Sequence, residues 1–440
     1  MKSNTRASRR RITPFIAAAG VAALVFSGCS SPGAAPSAAG GQAPQARAPQ
    51  APMLAPDADK GATGDIVFCG GKDTGIREAT AKRFNAMQSA IRVSYLELGA
   101  DTSAARTAAI QRLEGGSTDC DIYMTDVVWT PEWAQQGWLY DQTDLVKAVG
   151  GEIIPSILST TEYDGRNWAM PFYTDSALIY YRTDRVKAPT SWKDLYAQAA
   201  ADPEHKLLLQ AKAYEGLTVN FLELLYSAGG SVIDEQGKVV IDSPQARTAL
   251  TFMRDGFKNG SIDPASLTYD ETGVRRAYES GLGGFQRNWP GAWNGTQASE
   301  AGPKTAVAPL PSFDGTGKPA GVLGGWNLAV AQKAKNPGAS VAFIKYVASE
   351  EAQRQMVLET AQSPIRAALY SDPEVVAKIP FAPQLKTSLE NAKPRPKSPV
   401  YAQISRAIYE NVYAVLSEGS DVDAAIKKMA DEIQKAQETF

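Results

Sequence analysis

Apolar and polar positions follow two different periods along the first part of the folded chain. Short β-prone runs occur at Ile66–Phe68, Ile91–Leu96 and Ile122–Met124. Between these runs, apolar residues recur at helical spacing over 76–87 and 103–113. Because strands and helices alternate, the pattern predicts a βαβαβ unit with a parallel sheet.

Later segments predict a second lobe. The β-prone run Ser176–Arg182 predicts a strand by which the chain leaves the first lobe, and 324–330 predicts the strand of its return. Helical patterns occupy 192–201, 216–228, 244–259, 273–280, 337–349, 351–359, 400–417 and 422–439. A folded part of about 375 residues exceeds one typical hydrophobic core. We therefore expect lobe 1 to comprise 65–175 and 321–370, and lobe 2 to comprise 176–320 and 371–440.

The N-terminus has the pattern of an export signal. A basic stretch from Lys2 to Arg11 precedes an apolar run that ends at Phe26 and is too short to span a bilayer. Small residues then precede Cys29, an arrangement that resembles the bacterial lipobox. We expect residues 1–29 to be a lipoprotein signal peptide with Cys29 as the lipidated residue. This predicts a protein held at the extracytoplasmic face of the cell membrane, with Sec and twin-arginine export both open.

The next segment differs sharply in composition. Residues 30–64 are mostly Ala, Pro, Gly, Ser and Gln, with almost no large apolar side chain. Such a segment buries too little surface to offset its ordering entropy. We expect 30–64 to be a disordered tether.

The net charge argues against a nucleic-acid partner. Lys and Arg total 45 and Asp and Glu total 47, which gives a net charge of −2. The sequence has no basic stripe of the kind that nucleic-acid binding requires. No later apolar run approaches membrane length, so lipid is the expected anchor, and we expect a monomer.

Three cysteines and one histidine limit the chemistry. With Cys29 assigned to the lipobox, Cys69 follows the first predicted strand and Cys120 precedes the third. Exported proteins rarely leave two thiols free, so we predict a Cys69–Cys120 disulfide; two buried small hydrophobes are the alternative. His205 lies in a polar loop and no CxxC occurs, so we expect no zinc site, no histidine-activated nucleophile and no cofactor. Carboxylate-pair chemistry remains open.

An ordered series of short motifs runs through the folded part. It comprises Asp126–Trp138, Thr174–Arg182, Glu215–Leu217, Ser227–Gly230, Asn288–Pro290, Gly324–Ala329 and Arg366–Pro373. Together these motifs resemble the extracellular sugar-binding proteins of ABC importers, in the maltose/trehalose-type branch. The pattern is most similar to the actinobacterial trehalose-binding lipoproteins.

The resemblance implies a fold, a function and a set of site residues. The fold is a two-lobed, periplasmic-binding-protein-like α/β fold with crossover strands and a ligand cleft between lobes that close over the ligand. The function is capture of a disaccharide, trehalose or a maltose-like α-glucoside, for delivery to an ABC permease, without catalysis. Carried over by position, the acids Asp126, Asp175 and Glu271 contact the sugar, Trp289 and Trp326 stack on it, Arg366 donates to hydroxyls, and the backbone of Gly324 and Gly325 lies against it.

These residue types suit a sugar. Ionised carboxylates accept strong hydrogen bonds from hydroxyls, and tryptophan offers a broad face to C–H groups. One departure concerns sugar identity, since the trehalose-binding pattern has Asn where this chain has Asp175. A surface-tethered glycoside hydrolase that uses two of the same acids is the alternative function.

Overall fold

Two β-sheets organise the chain. The computed structural model describes residues 47–73, 75–99, 102–234, 236–317 and 321–439, so the predicted signal peptide, Cys29 and the tether up to residue 46 lie outside the described residues. The strands are β1 (Gly64–Gly70), β2 (Ile91–Glu97), β3 (Ile122–Asp126), β4 (Glu162–Tyr163), β5 (Arg166–Asn167), β6 (Met170–Ser176), β7 (Leu178–Arg182), β8 (Leu207–Leu208), β9 (Phe285–Asn288), β10 (Thr305–Pro309) and β11 (Leu323–Val330).

Helices cover both sheets. They are α1 (Arg77–Met87), α2 (Thr102–Glu114), α3 (Thr130–Gln135), α4 (Thr143–Val149), α5 (Pro155–Leu158), α6 (Trp192–Ala200), α7 (Glu215–Ser227), α8 (Pro244–Lys258), α9 (Glu271–Glu279), α10 (Trp293–Gln297), α11 (Pro337–Ala348), α12 (Glu350–Thr360), α13 (Pro373–Lys378), α14 (Ala382–Asn391), α15 (Tyr401–Ser417) and α16 (Val422–Glu438). None of these helices is both long enough and apolar enough to cross a membrane.

The predicted βαβαβ unit is present and forms part of the first sheet. Its strand order is β2-β1-β3-β11-β6, and β1 pairs in parallel with β2 and with β3. The late strand β11 lies antiparallel between β3 and β6. Lobe 1 is therefore built from sequence segments on either side of lobe 2.

The second sheet forms lobe 2. Its order is β10-β7-β9-β8, and helices α6, α7, α8, α15 and α16 contribute to the hydrophobic cluster beside it. The chain passes between sheets at the buried Ala177, which separates β6 from β7. It returns to the first sheet between Pro309 and Leu323.

From the sequence, the third lobe limit is expected at 370/371, ahead of α13 and α14. Helix α14 buries Leu385 and Leu389 in a hydrophobic cluster that contains Phe172 of β6 in lobe 1 and also Tyr180 of β7 in lobe 2. The N–H of Lys393 donates to the carbonyl of Gly321 at 2.9 Å, beside the second crossing. The segment after α14 therefore runs beside the second lobe crossing, and α14 itself packs against elements of both lobes.

The expectation of disorder over 30–64 is wrong for its last part. Residues 47–63, called here the N-terminal strap, lie against lobe 1. The N–H of Leu54 donates to the carbonyl of Asp141 at 2.8 Å, and the Arg166 guanidinium donates to the carbonyl of Ala48 at 2.9 Å. Leu54 is 2% exposed. One large apolar side chain, together with backbone carbonyls that find donors on lobe 1, holds this segment in place despite its composition.

The predicted disulfide is confirmed. Cys69 in β1 and Cys120 just before β3 are bonded, with Cα atoms 5.8 Å apart and a sequence separation of 51. Pairing of β1 with β3 brings the two residues together, and both are fully buried. On the loop-entropy model, a loop of this size stabilises the folded state by roughly 4 kcal/mol.

Substitution in the strap tests its packing. We expect Leu54→Ala to lower the free energy of unfolding by about 2–4 kcal/mol, because a buried leucine leaves a cavity. Met53→Ala is the matched control, since Met53 is 55% exposed and surface changes usually stay within about 0.5 kcal/mol. Chemical denaturation of both variants measures the difference. Equal stability of the two variants would contradict a packed strap.

Candidate ligand-binding site

The pairing of β11 gathers predicted site residues at one edge of the lobe 1 sheet. Trp326 lies opposite Asp126 at the end of β3. Gly324 lies opposite Asp175 near the end of β6. Since β3 and β6 both run antiparallel to β11, their carboxyl ends meet the start of β11. Residues from three distant parts of the sequence therefore share one site.

Both glycines of β11 stand where a side chain would not fit. A Cβ on Gly324 would lie 3.1 Å from Cζ3 of Trp289 and 3.3 Å from Cβ of Asp175. Gly325 has φ of +120°, a conformation that favours glycine, and a Cβ there would lie 2.5 Å from the carbonyl oxygen of Tyr173. Gly324 therefore lets the tryptophan of lobe 2 approach the backbone of lobe 1, and Gly325 lets β11 pass close to the backbone of β6.

Asp175 is a buried carboxyl group. It is 8% exposed, and its Oδ1 accepts a hydrogen bond from Nε2 of Gln362 at 2.7 Å. Burial raises its pKa to about 8, and nearby Asp126 adds to the rise; the Gln362 hydrogen bond and the Arg287 charge oppose it. Gln362, which sequence analysis did not single out, thus holds one of the two carboxyl oxygens.

Asp126 belongs to an ionic bridge between the lobes. Its Oδ1 accepts from Nη2 of Arg395 at 2.9 Å, and Nη1 of Arg395 donates to Oε1 of Glu215 at 2.6 Å. Glu215 begins α7 of lobe 2 and also accepts from the Tyr401 hydroxyl at 2.5 Å. Burial raises the pKa of Asp126, and the Arg395 charge opposes the rise. One guanidinium thereby joins carboxylates of both lobes.

Arg395 is a site residue that the sequence analysis missed. It is 6% exposed and stands between Pro394 and Pro396, just after α14. A charged side chain between two prolines, close to a lobe crossing, was the available signal, since proline fixes the backbone around it. The sequence analysis places the segment around Arg395 within lobe 2, whereas in the structure this segment lies beside the second lobe crossing.

Trp289 and Glu271 are linked on the lobe 2 side. The Asn288 side chain donates to the backbone carbonyl of Glu271 at 3.2 Å and accepts from the N–H of Trp289 at 2.9 Å. The Tyr180 hydroxyl donates to the carbonyl of Trp289 at 2.8 Å. Burial raises the pKa of the Tyr214 hydroxyl well above its ordinary range, and the charge of the neighbouring Glu271 carboxylate adds to the rise. The structure thus holds these two predicted residues through one asparagine.

Trp326 belongs to lobe 1, in β11 opposite Asp126. Its ring is partly exposed and meets Trp129 edge-on, with ring centroids 5.6 Å apart. Trp129 in turn stacks on Trp133 at 5.5 Å. The packed tryptophans orient Trp326 while leaving part of its surface open.

Arg366, expected as a hydroxyl donor in the cleft, is engaged elsewhere. Its Nε donates to the carbonyl of Ala348 at 2.6 Å, and its Nη1 donates to Oε2 of Glu152 at 2.7 Å. Ile153 pairs with it through an isolated β-bridge. These contacts fasten the loop after α12 to the segment after α4, so the structure does not bring Arg366 together with the predicted acids. Arg395, in contrast, does contact one of these acids, Asp126.

The lobes touch at the site in this conformation. Trp289 lies directly against Gly324, and Asn294 of α10 donates to the carbonyl of Glu359 of lobe 1 at 3.3 Å. A cavity of about 230 Å³ opens beside the crossings, lined by residues that include Ser176, Leu310 and Asn391 of α14, and none of the predicted site residues lines it. Within the described residues, no cluster of histidine, cysteine and acidic side chains could hold a metal ion.

Curated relatives are binding proteins. A "Probable ABC transporter-binding protein" of Deinococcus radiodurans is 32% identical over 365 residues, covering 78% of this chain and 86% of that one. A mannitol-binding protein of Pseudomonas aeruginosa is 24% identical over 292 residues, covering 60% of this chain and 64% of that one. Relatives and fold alike are those of transport-associated binding proteins and not of enzymes.

Solved structures share the fold. Maltose-bound MalE3 of T. maritima has a TM-score of 0.79 and 33% identity, covering 85% of this chain and all of that one. The GacH receptor of Streptomyces glaucescens has a TM-score of 0.76 at 23% identity, covering 86% of this chain and 99% of that one. The two-lobed periplasmic-binding-protein fold expected from the sequence is thereby confirmed. Residues 71–354 match the bacterial extracellular solute-binding protein family, and the chain belongs to that family.

Proposed function

We propose that the protein is a lipid-anchored receptor that captures an α-linked disaccharide outside the cell and delivers it to an ABC permease. The observation that carries the proposal is the meeting of Asp126, Asp175 and Trp289 where the two lobes touch. Buried carboxylates beside an aromatic ring complement the hydroxyls and C–H faces of a sugar. The 33% identity to a maltose-bound protein over 85% of the chain supports the same ligand class.

The proposed contacts come from both lobes. From lobe 1, Asp126, Asp175 and Trp326 and the backbone of Gly324 and Gly325 face the sugar; from lobe 2, Trp289 and Glu271 do so. Arg395, in place of Arg366, donates hydrogen bonds to the sugar hydroxyls. Each lobe alone offers only part of this set, so a sugar that binds both favours the closed arrangement.

Maltose and trehalose are the leading ligands for different reasons. The maltose-bound relative supports maltose. The order of the sequence motifs supports trehalose, although Asp175 replaces the asparagine of that pattern. A carboxylate accepts hydrogen bonds only, whereas an amide also donates. The residue at 175 is therefore placed to discriminate between sugars.

The same acids do not favour the hydrolase alternative. Asp126 is bonded to Arg395, and Asp175 to Gln362. A general acid must be free to give its proton to a leaving group. Asp126, paired with Arg395, is therefore not placed to act as the second carboxylate of a hydrolase, which supports binding without turnover.

Binding without turnover is the first prediction from this proposal. Calorimetry should show a dissociation constant near micromolar for maltose or trehalose, about −8 kcal/mol, and chromatography should show no released glucose. Trp289→Ala, Asp175→Ala and Glu271→Ala should each weaken binding more than about ten-fold, because hydroxyls or ring faces lose their partners. Asp175→Asn should reorder the sugars without abolishing binding.

Glu279→Ala on the same helix is the matched control for Glu271→Ala. Glu279 pairs with Arg275 and lies at the other end of α9. This control should bind as the wild type does, and all variants should keep its circular dichroism spectrum. No heat with any mono- or disaccharide, or a product that accumulates with time, would overturn the proposal.

The pKa of Asp175 gives a second prediction. With the lobes in contact and no sugar bound, this group holds a proton below pH about 8, whereas sugar hydroxyls donate best to the ionised form. Binding must then release the proton, so affinity should rise with pH, by at most about ten-fold per unit, and level off above pH 8. Titrations at pH 6, 7, 8 and 9 test this. A flat profile in Asp175→Asn and a rising one in the wild type are expected; two identical profiles would refute the linkage.

Lipidation of Cys29 is the third prediction. Cys29→Ala should move the protein from the membrane fraction to the medium, or leave the signal peptide uncleaved, because the residue that carries the lipid is lost. Ser27→Ala keeps a small residue before the cysteine and is the matched control. Detergent-dependent membrane association of Cys29→Ala, unchanged from the wild type, would exclude the anchor.

A further inference from the structure

A fully buried ion pair lies behind the tryptophan of lobe 2. Arg287 in β9 and Glu223 in α7 are both 0% exposed. Nε of Arg287 donates to Oε2 of Glu223 at 3.0 Å, and Nη2 donates to Oε1 of the same carboxylate. Nη1 of Arg287 also donates to Oε1 of Gln210 at 3.4 Å. The guanidinium is therefore fixed in position and in plane.

The fixed guanidinium lies over the ring of Trp289. Its Cζ atom is 4.1 Å from the ring centroid. The sequence explains the contact, because residues two apart along an extended segment point to the same side, and Arg287 precedes Trp289 by two. Since a guanidinium is planar and stacks on aromatic faces, it can set the plane of the ring.

Stability alone does not account for this pair. Two charges removed from water lose hydration that their attraction repays only in part, and apolar replacements of buried pairs are often no less stable. The neighbouring Phe285 of the same strand is packed in an apolar cluster. Strand β9 can therefore bury apolar side chains in place of charged ones. The pair is placed where it orients a ring.

We propose that Arg287, held by Glu223, is a positioning residue that fixes the plane of Trp289 for stacking on the sugar. The proposal rests on the proposed function, in which Trp289 is a stacking platform. The Arg287–Glu223 pair aligns the Trp289 ring before the sugar binds, and it need not contact the sugar itself. A prealigned ring lowers the ordering cost of binding.

Replacing the guanidinium by an ammonium separates stacking from charge. Arg287→Lys keeps a cation for Glu223 but loses the planar group. We expect about ten-fold weaker binding of maltose or trehalose by calorimetry. Arg182→Lys is the matched control, because Arg182 is 6% exposed in neighbouring β7 and pairs with Asp184; its affinity should stay within two-fold of the wild type.

A double-variant cycle shows whether the effect passes through the ring. In a Trp289→Ala background, Arg287→Lys should change affinity less than two-fold, since no ring remains to be aligned. Arg287→Met combined with Glu223→Leu removes both charges together and should also weaken binding about ten-fold while keeping the circular dichroism spectrum. Wild-type affinity in Arg287→Lys, or the same ten-fold loss with and without Trp289, would overturn the proposal.

A ligand-free measurement keeps the two proposals distinguishable. If the wild type binds neither sugar, the proposed function fails, and near-ultraviolet circular dichroism decides the positioning role. The signal of Trp289, taken as wild type minus Trp289→Phe, should shrink in the Arg287→Lys background and persist in the Arg182→Lys background. An undiminished signal in Arg287→Lys would show that the guanidinium does not orient the ring.

Discussion

The antiparallel pairing of β11 between β3 and β6 is the constraint on which the site depends. A strand that begins at the second lobe crossing must enter the lobe 1 sheet from the edge where β3 and β6 end. Its first residues therefore lie beside Asp126 and Asp175. A slip of one residue would turn Trp326 to the other face of the sheet and remove the site.

Buried charge distinguishes this region from the hydrophobic cores of the two lobes. Burying a carboxyl group away from water is costly unless it finds donors or gives up its charge. Asp126 finds Arg395, whereas Asp175 has an amide partner and a raised pKa. A ligand rich in hydroxyls would supply further donors. In the proposed function, a bound sugar would lower the cost of burying these groups and so couple ligand binding to lobe contact.

Much of the architecture follows from local patterns in the sequence. The helical periodicity of 244–259 and the β-prone run 176–182 correspond to α8 and to the first lobe crossing. The Cys69–Cys120 bond followed from two cysteines beside neighbouring strands. These features depend on residues near one another in sequence or on a single pairing of strands, so one sequence suffices to predict them.

Other features depended on contacts between distant residues. Helix α14 was missed because prolines at 373, 380 and 383 break the pattern around it, and its apolar face is short. The N-terminal strap has the composition of a tether, and only its contacts with lobe 1 order it. Arg366 was preferred to Arg395 because motif order gives no three-dimensional position. Both arginines are buried to some degree, but only Arg395 is bonded to carboxylates of both lobes.

The crystal structure of the mature protein grown with maltose or trehalose tests the central claim most directly. The account predicts a disaccharide between the lobes, with sugar hydroxyl oxygens about 2.5–3.0 Å from the carboxylates of Asp126 and Asp175 and one sugar ring on the face of Trp289. A sugar bound instead in the cavity beside Ser176 and α14, with Asp175 and Trp289 untouched, would contradict it.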